Sequence, residues 1–206
     1  MGEPACKTYT WDDYRQLPEG ERWEIIGGDL FNMSPSPTTR HQEISMELAF
    51  QLRAFFDGKP CKPFAAPTDL KLSDADVVQP DLMVVCNADQ VKESHVEGPP
   101  ALVVEILSPS TLGHDRKRKM GLYARAGVKE VWLVTPQPPG IAEVYLLDGP
   151  TYRLEGTYSA GETLRSPGFA ELEIALEPVF GPLSDEGGPV RGGKEPAGAY
   201  AADRPA

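Results

Sequence analysis

Strands interleaved with two long amphipathic helices, no internal repeat, and two strand-length runs apolar on both faces predict an α/β or α+β domain with a mixed sheet. A run apolar on both faces belongs in the middle of a covered sheet. The two such runs are PDLMVV, Pro80 to Val85, and ALVVEIL, Ala101 to Leu107. The 206 residues are enough for one substantial core. The expected organisation is one domain over 1–180 and a disordered Gly/Pro/Ala-rich tail over 181–206, which is too poor in apolar surface to offset its ordering entropy.

The elements follow in order. Thr10 can cap a short helix, TWDDYRQL, which Pro18 ends. RWEII and DLFNMS flank Gly27-Gly28, a pair that supplies the positive φ angles of a two-residue hairpin turn. From Thr38 to Phe56, Ile44, Leu48, Leu52 and Phe55 recur at three- and four-residue spacing, which marks an amphipathic helix stopped by Asp57-Gly58. Short strands are expected around CKPFAA and TDLKLS, ahead of the two apolar runs. A second helix runs from about His114 to Ala126 and ends at Gly127; EVWLVT, AEVYLL and TYRLEGTY then read as strands.

Charge and composition exclude several classes. No stretch of eighteen residues is continuously apolar, so no membrane helix is expected. The N-terminus shows no basic start followed by an apolar stretch, so a cytoplasmic protein is expected. Cys6, Cys61 and Cys86 are odd in number and form no CxxC, which argues for reduced, structural thiols and against a zinc site. Twenty basic against 31 acidic residues give a net charge of −11, a poor match to phosphate backbones in general. Between Thr111 and Glu130, however, six basic residues face two acids, so this window carries +4 and the rest −15. Such a helix serves an anion or sits beside the protein's own carboxylates.

Two acids interrupt the apolar runs: Asp81 near the start of the first and Glu105 inside the second. An unpaired carboxylate there costs several kcal/mol or a large upward pKa shift unless a cation compensates it, so something must face these acids. One reading is structural: a strand end at solvent for one acid and an ion pair with a helix Lys or Arg for the other. The other is chemical: neighbouring strands bring both carboxylates onto Mg²⁺, as phosphodiester hydrolysis requires. Lys119 stands three and four residues before Leu122 and Tyr123, along the edge of the face they bury, whereas Arg116, Lys117 and Arg118 point to solvent.

The succession WEIIGGDLFNMSPSPTTRHQEI, QPDLMVV, VVEILSPST and DRKRKMGLYARAGVKEVWLV resembles the Uma-two family (domain of unknown function 820), described as "putative restriction endonucleases", within the PD-(D/E)XK nuclease superfamily. The resemblance spans roughly Tyr9 to Phe180. It implies a restriction-endonuclease-like fold, a mixed central sheet flanked by helices, acting on DNA with Mg²⁺ or Mn²⁺. Asp81 matches the motif aspartate, Glu105 the (D/E), and Glu24 the acid contributed from the N-terminal part. The superfamily lysine belongs two residues after Glu105, where this chain has Leu107; Lys119 on the following helix takes its place. His41, also a family position, would bind a phosphate oxygen or hold Glu24. The implied metal ligands are Asp81, Glu105 and the carbonyl of Ile106, with Lys119 positioning the attacking water. A homodimer is also implied, for which the edge strands between EVWLVT and TYRLEGTY offer pairing surfaces.

Two rivals stand beside this hydrolase: a catalytically silent nucleic-acid-binding or protein-interaction module with the same fold, and a phosphodiesterase acting on RNA or a nucleotide. Ser108 and Ser110 with His114 lack a nucleophile elbow, and His41, His95 and His114 lack zinc-ligand spacing. No P-loop is present, so ATP-driven cleavage by this chain alone has no support.

Overall fold

The computed structural model describes residues 7–18, 20–33, 36–107 and 114–181, with side chains of the helix that begins at His114 described from 117 onward. The expected tail beyond Gly181 lies outside the described residues, as do Cys6, Ser108 and Ser110. The N-terminal elements are α1 (Trp11–Tyr14), β1 (Trp23–Ile26), β2 (Asp29–Asn32) and α2 (Thr39–Phe55). Next come β3 (Lys62–Ala65), β4 (Asp69–Ser73), β5 (Asp76–Val78), β6 (Leu82–Val85), β7 (His95–Glu97) and β8 (Leu102–Ile106). The chain continues with α3 (His114–Ala126), β9 (Glu130–Thr135), β10 (Ile141–Asp148), β11 (Thr151–Ser159), β12 (Thr163–Arg165), β13 (Glu173–Ala175) and α4 (Leu176–Phe180).

The expected α/β (α+β) class holds. Six strands form the main sheet in the order β11-β10-β9-β8-β6-β3, mixed because β8 and β9 run parallel while the other pairs are antiparallel. A five-stranded sheet, β2-β1-β5-β4-β7, and the small pair β12-β13 complete it. The short strands β5, β7, β12 and β13, and α4, are additions to the elements read from the sequence.

Period-two alternation sorts the central strands between two cores. Leu82 and Val84, Leu102, Val104 and Ile106, and Trp132 and Val134 face α2, packing on Ile44, Leu48 and Leu52. Met83 and Val85, Val103, and Val131 and Leu133 face the other way, against Leu122 and Tyr123 of α3 and Ile26, Leu70 and Val78 of the five-stranded sheet. The main sheet is therefore covered on both sides, which is why β6, β8 and β9 lack polar-out alternation.

Local chemistry sets the ends. Thr38 Oγ1 accepts the His41 N–H at 3.2 Å and starts α2; Thr10 and Asp13 form a capping box at α1. The β1–β2 turn places Gly27 at φ 61° and Gly28 at φ 84°, both left-handed. The last turn of α3 closes with Val128 N–H on the Tyr123 carbonyl and Gly127 N–H on that of Ala124.

The cysteine expectation is corrected. Cys61 and Cys86 form a disulfide. Lys62 pairs with Val85 across β3 and β6, so the residues just outside that pair lie opposite one another. Strand register, invisible in the spacing of 25 residues, brings the sulfurs together.

A further buried acid, Glu130, had not been singled out in the sequence. It is wholly buried at the start of β9, and among the described residues its hydrogen-bond partners include no cation. Its carboxylate accepts from Trp132 Nε1 (2.6 Å), Ser166 Oγ (2.9 Å) and the Gly168 N–H (2.8 Å). Burial pushes its pKa up, against the pull of these three donors. A Cβ at Gly168 would collide with the carboxylate, so glycine is needed for this close approach.

Candidate active site

Strand pairing builds the centre of the site. Leu82 lies opposite Val104 and Met83 opposite Val103. The same register, continued one residue, sets Asp81 across from Glu105. Asp81 Oδ2 accepts the Ile106 N–H at 2.7 Å, and its own carbonyl accepts the Ala66 N–H at 2.9 Å, so the residue is fixed from both neighbouring strands. Glu105 shares the parity of Val103 and faces α3.

There, Lys119 Nζ sits 2.9 Å from Glu24 Oε1 and 3.3 Å from Glu105 Oε1. One turn later on α3, the Tyr123 hydroxyl donates to Glu105 Oε1. Glu24 enters from β1 and also accepts the Gln79 N–H at 3.1 Å. From the opposite side, the first turn of α2 delivers His41, whose Nε2 lies 3.3 Å from Asp81 Oδ1. His41 Nδ1 is buried without a hydrogen-bond partner.

These side chains are almost withdrawn from water, with Glu24, Glu105 and Lys119 at 3%, 8% and 8% exposure. Burial pushes the Glu105 carboxyl up to about 7; Lys119 pulls it down, while Asp81 and Glu24 push it further up. Tyr123 is raised well above the usual phenol range by burial and by the carboxylates around it. The His41 imidazole is raised chiefly by its hydrogen bond to Asp81, against the effect of burial. Three carboxylates thus surround one lysine and one histidine, and an added cation would favour the ionised form of Glu105. Among the described residues no group of three His, Cys, Asp or Glu is spaced to hold a metal ion by itself. A cation here would rely on Asp81, Glu105 and backbone or solvent oxygen. That is a donor set of Mg²⁺ type, since this ion keeps several waters and takes one or two carboxylates.

Asp81, Glu105, Lys119 and Glu24 come together from four separate elements or their flanks. His41 joins them through Asp81 rather than Glu24, the second of the two partners expected for it. Lys117 is exposed as expected; Arg118 is instead half-buried, its guanidinium 4.1 Å from the Phe31 ring centroid. The side chains of Arg116 and His114 lie outside the described residues. Two members were missed: Tyr123, read only as an apolar anchor, and Gln79. The signal for Tyr123 was available, because a buried phenol on a helix face needs an acceptor.

Comparison with known proteins bears on this geometry. A family model, Uma2, described as "Putative restriction endonuclease", matches residues 11–177. The uncharacterized protein slr1290 of Synechocystis sp. is 30% identical over 174 residues, covering 82% of this chain and 90% of that protein. A crystal structure from Anabaena variabilis, described as a putative nuclease belonging to DUF820, matches with a TM-score of 0.66 at 20% identity. It covers 83% of this chain and 97% of that one; at this identity the likeness concerns the fold alone.

Proposed function

Because the chain belongs to the Uma2 family, described as "Putative restriction endonuclease", we propose that it is a metal-dependent endonuclease hydrolysing phosphodiester bonds in DNA. The observation that carries this reading is the facing pair Asp81 and Glu105 at adjacent strand ends, with Lys119 held between Glu105 and Glu24.

Asp81, Glu105 and the Ile106 carbonyl would hold Mg²⁺ or Mn²⁺. When bound, such an ion withdraws charge from phosphoryl oxygens and acidifies water. The chain's own residues supply the rest. Tyr123 fixes the Glu105 carboxylate by donating to it, and Glu24 fixes the Lys119 ammonium. A lysine so held beside Glu24 and Glu105 would orient an attacking water and share the charge that develops on the phosphoryl group. The hydrogen bond from His41 Nε2 to Asp81 raises the imidazole pKa against the effect of burial, and its Nδ1, which has no partner among the described residues, would contact a phosphate oxygen. The net charge of −11 is compatible with weak, salt-sensitive DNA binding.

One observation favours the silent-module reading: Glu105 already has Lys119 and Tyr123 as partners. Calorimetric titration of Mn²⁺ and Mg²⁺ into the protein, Asp81→Ala and Glu105→Ala, with plasmid nicking assayed in parallel, separates the two. Saturable binding lost in both variants, with nicking lost in Lys119→Met, is the expected result. Equal binding in all three, or nicking that survives Glu105→Ala, overturns the proposal.

A further inference from the structure

Four large apolar side chains are notably exposed among the described residues: Met46, Phe50, Val91 and Leu154. Val91 and Leu154 stand singly, as surface hydrophobics commonly do. Met46 and Phe50 do not. They lie one turn apart on α2, 74% and 67% exposed, on the side opposite His41, Ile44, Leu48 and Leu52.

The stripe extends in both directions. Glu43, Met46, Phe50 and Arg53 recur at three-, four- and three-residue spacing, the seam pattern of paired helices. Glu43 and Arg53 are themselves open, with side chains 69% and 65% exposed. Each has a partner on its own helix or just beyond it: Arg40 at 3.5 Å from Glu43, and Asp57 at 2.9 Å from Arg53. Exposed pairs of this kind exchange at little cost.

We propose that α2 is the surface through which two copies of this chain associate about a two-fold axis, their helices antiparallel, with Met46 of each against Phe50 of the other. The charges select this occupant. In an antiparallel pair that sets 46 opposite 50, position 43 falls opposite position 53, because both pairs share one midpoint at residue 48. Glu43 then meets Arg53 of the second copy at both ends of the apolar centre. A parallel pair would set Glu43 against Glu43 and Arg53 against Arg53. A two-fold contact uses one patch twice and must be complementary to itself, which this stripe is.

The strand edge is a poorer contact. β11 carries Arg153 and Glu155, ion-paired to one another, and β10 is bulged against it between Val144 and Tyr145. Charges and bulges are the devices by which edges avoid pairing. A single helix pair lies at the small end of interface sizes, so the dimer is concentration-dependent, with a dissociation constant on the order of micromolar.

Sedimentation equilibrium of the full chain tests this at about 1 to 100 µM, with circular dichroism to show that each variant is folded. The wild-type chain is expected to dimerise and Phe50→Glu to remain monomeric. Arg53→Glu sets like charges at both ends and is expected to weaken association about tenfold or more. The double reversal Glu43→Arg with Arg53→Glu is expected to restore it. A wild-type chain monomeric throughout the range overturns the proposal, whether residues 182–206, another partner or solvent covers the stripe. A dimer indifferent to Phe50→Glu, or one that the double reversal fails to restore, overturns it equally.

Discussion

Replacing Lys119 by methionine keeps most of the stem and removes the ammonium between Glu24 and Glu105. Both carboxylates are more than nine-tenths buried, so the loss leaves uncompensated charge in a dry site, a change that costs about 3–5 kcal/mol elsewhere. The cost must depend on pH, because Glu105 can escape it by taking up a proton. Its folded pKa is already about 7, against 4.5 for a free glutamate. A raised carboxyl contributes stability that is fully present below the unfolded pKa and lost as pH rises through the folded one. That swing corresponds to about 3 kcal/mol in the parent between pH 4.5 and 8. Without the lysine the folded pKa rises further, and the penalty grows with pH. Urea denaturation of parent and variant without added metal should show a difference of about 1 kcal/mol at pH 5, growing to about 3–5 kcal/mol at pH 8. A difference that is constant with pH, or below about 1 kcal/mol at pH 8, would refute the idea that Lys119 neutralises these carboxylates.

Other changes probe separate parts of the structure. Tyr123→Phe removes the donor to Glu105 Oε1 and should raise the Glu105 pKa by about one unit, read by carboxyl carbon NMR; an unchanged titration would mean that the phenol does not hold the carboxylate. Glu130→Ala strips the acceptor from Trp132, Ser166 and Gly168 and should cost about 3–5 kcal/mol in a denaturant melt. A cost under about 1 kcal/mol would show that those donors find other partners. Reducing the Cys61–Cys86 disulfide opens a link across 25 residues and should lower stability by about 3 kcal/mol, compared by denaturation with and without dithiothreitol.

Asp81 and Glu105 were legible because an acid inside an apolar strand contradicts its surroundings and demands a partner. Lys119 was legible for the complementary reason: a cation on the buried edge of a helix must reach something. Glu130 gave no such signal, since it follows Lys129 at the start of a strand, where a charge is ordinary. Ser166 and the Gly168 N–H reach it from 36 and 38 residues further along the chain, which its local sequence does not show. The resemblance supplied Glu24 and His41, but not that His41 would turn to Asp81. That depends on where the first turn of α2 meets the end of β6. The three-residue strands β5 and β7 are too short to show a period, and the disulfide depends on a register that spacing does not encode.

The distribution of the site along the chain bears on biosynthesis. Glu24, His41, Asp81, Glu105 and Lys119 arrive from β1, α2, the residue before β6, β8 and α3, so the constellation spans positions 24 to 119. A ribosome can release every carboxylate and the histidine without assembling the cluster, because the lysine emerges last and reaches Glu24 only once α3 has docked on the sheet. A half-made chain, or one terminated before Lys119, would therefore carry the acids without the cation that organises them. The complete constellation thus waits on the docking of α3, after every other member has been synthesised.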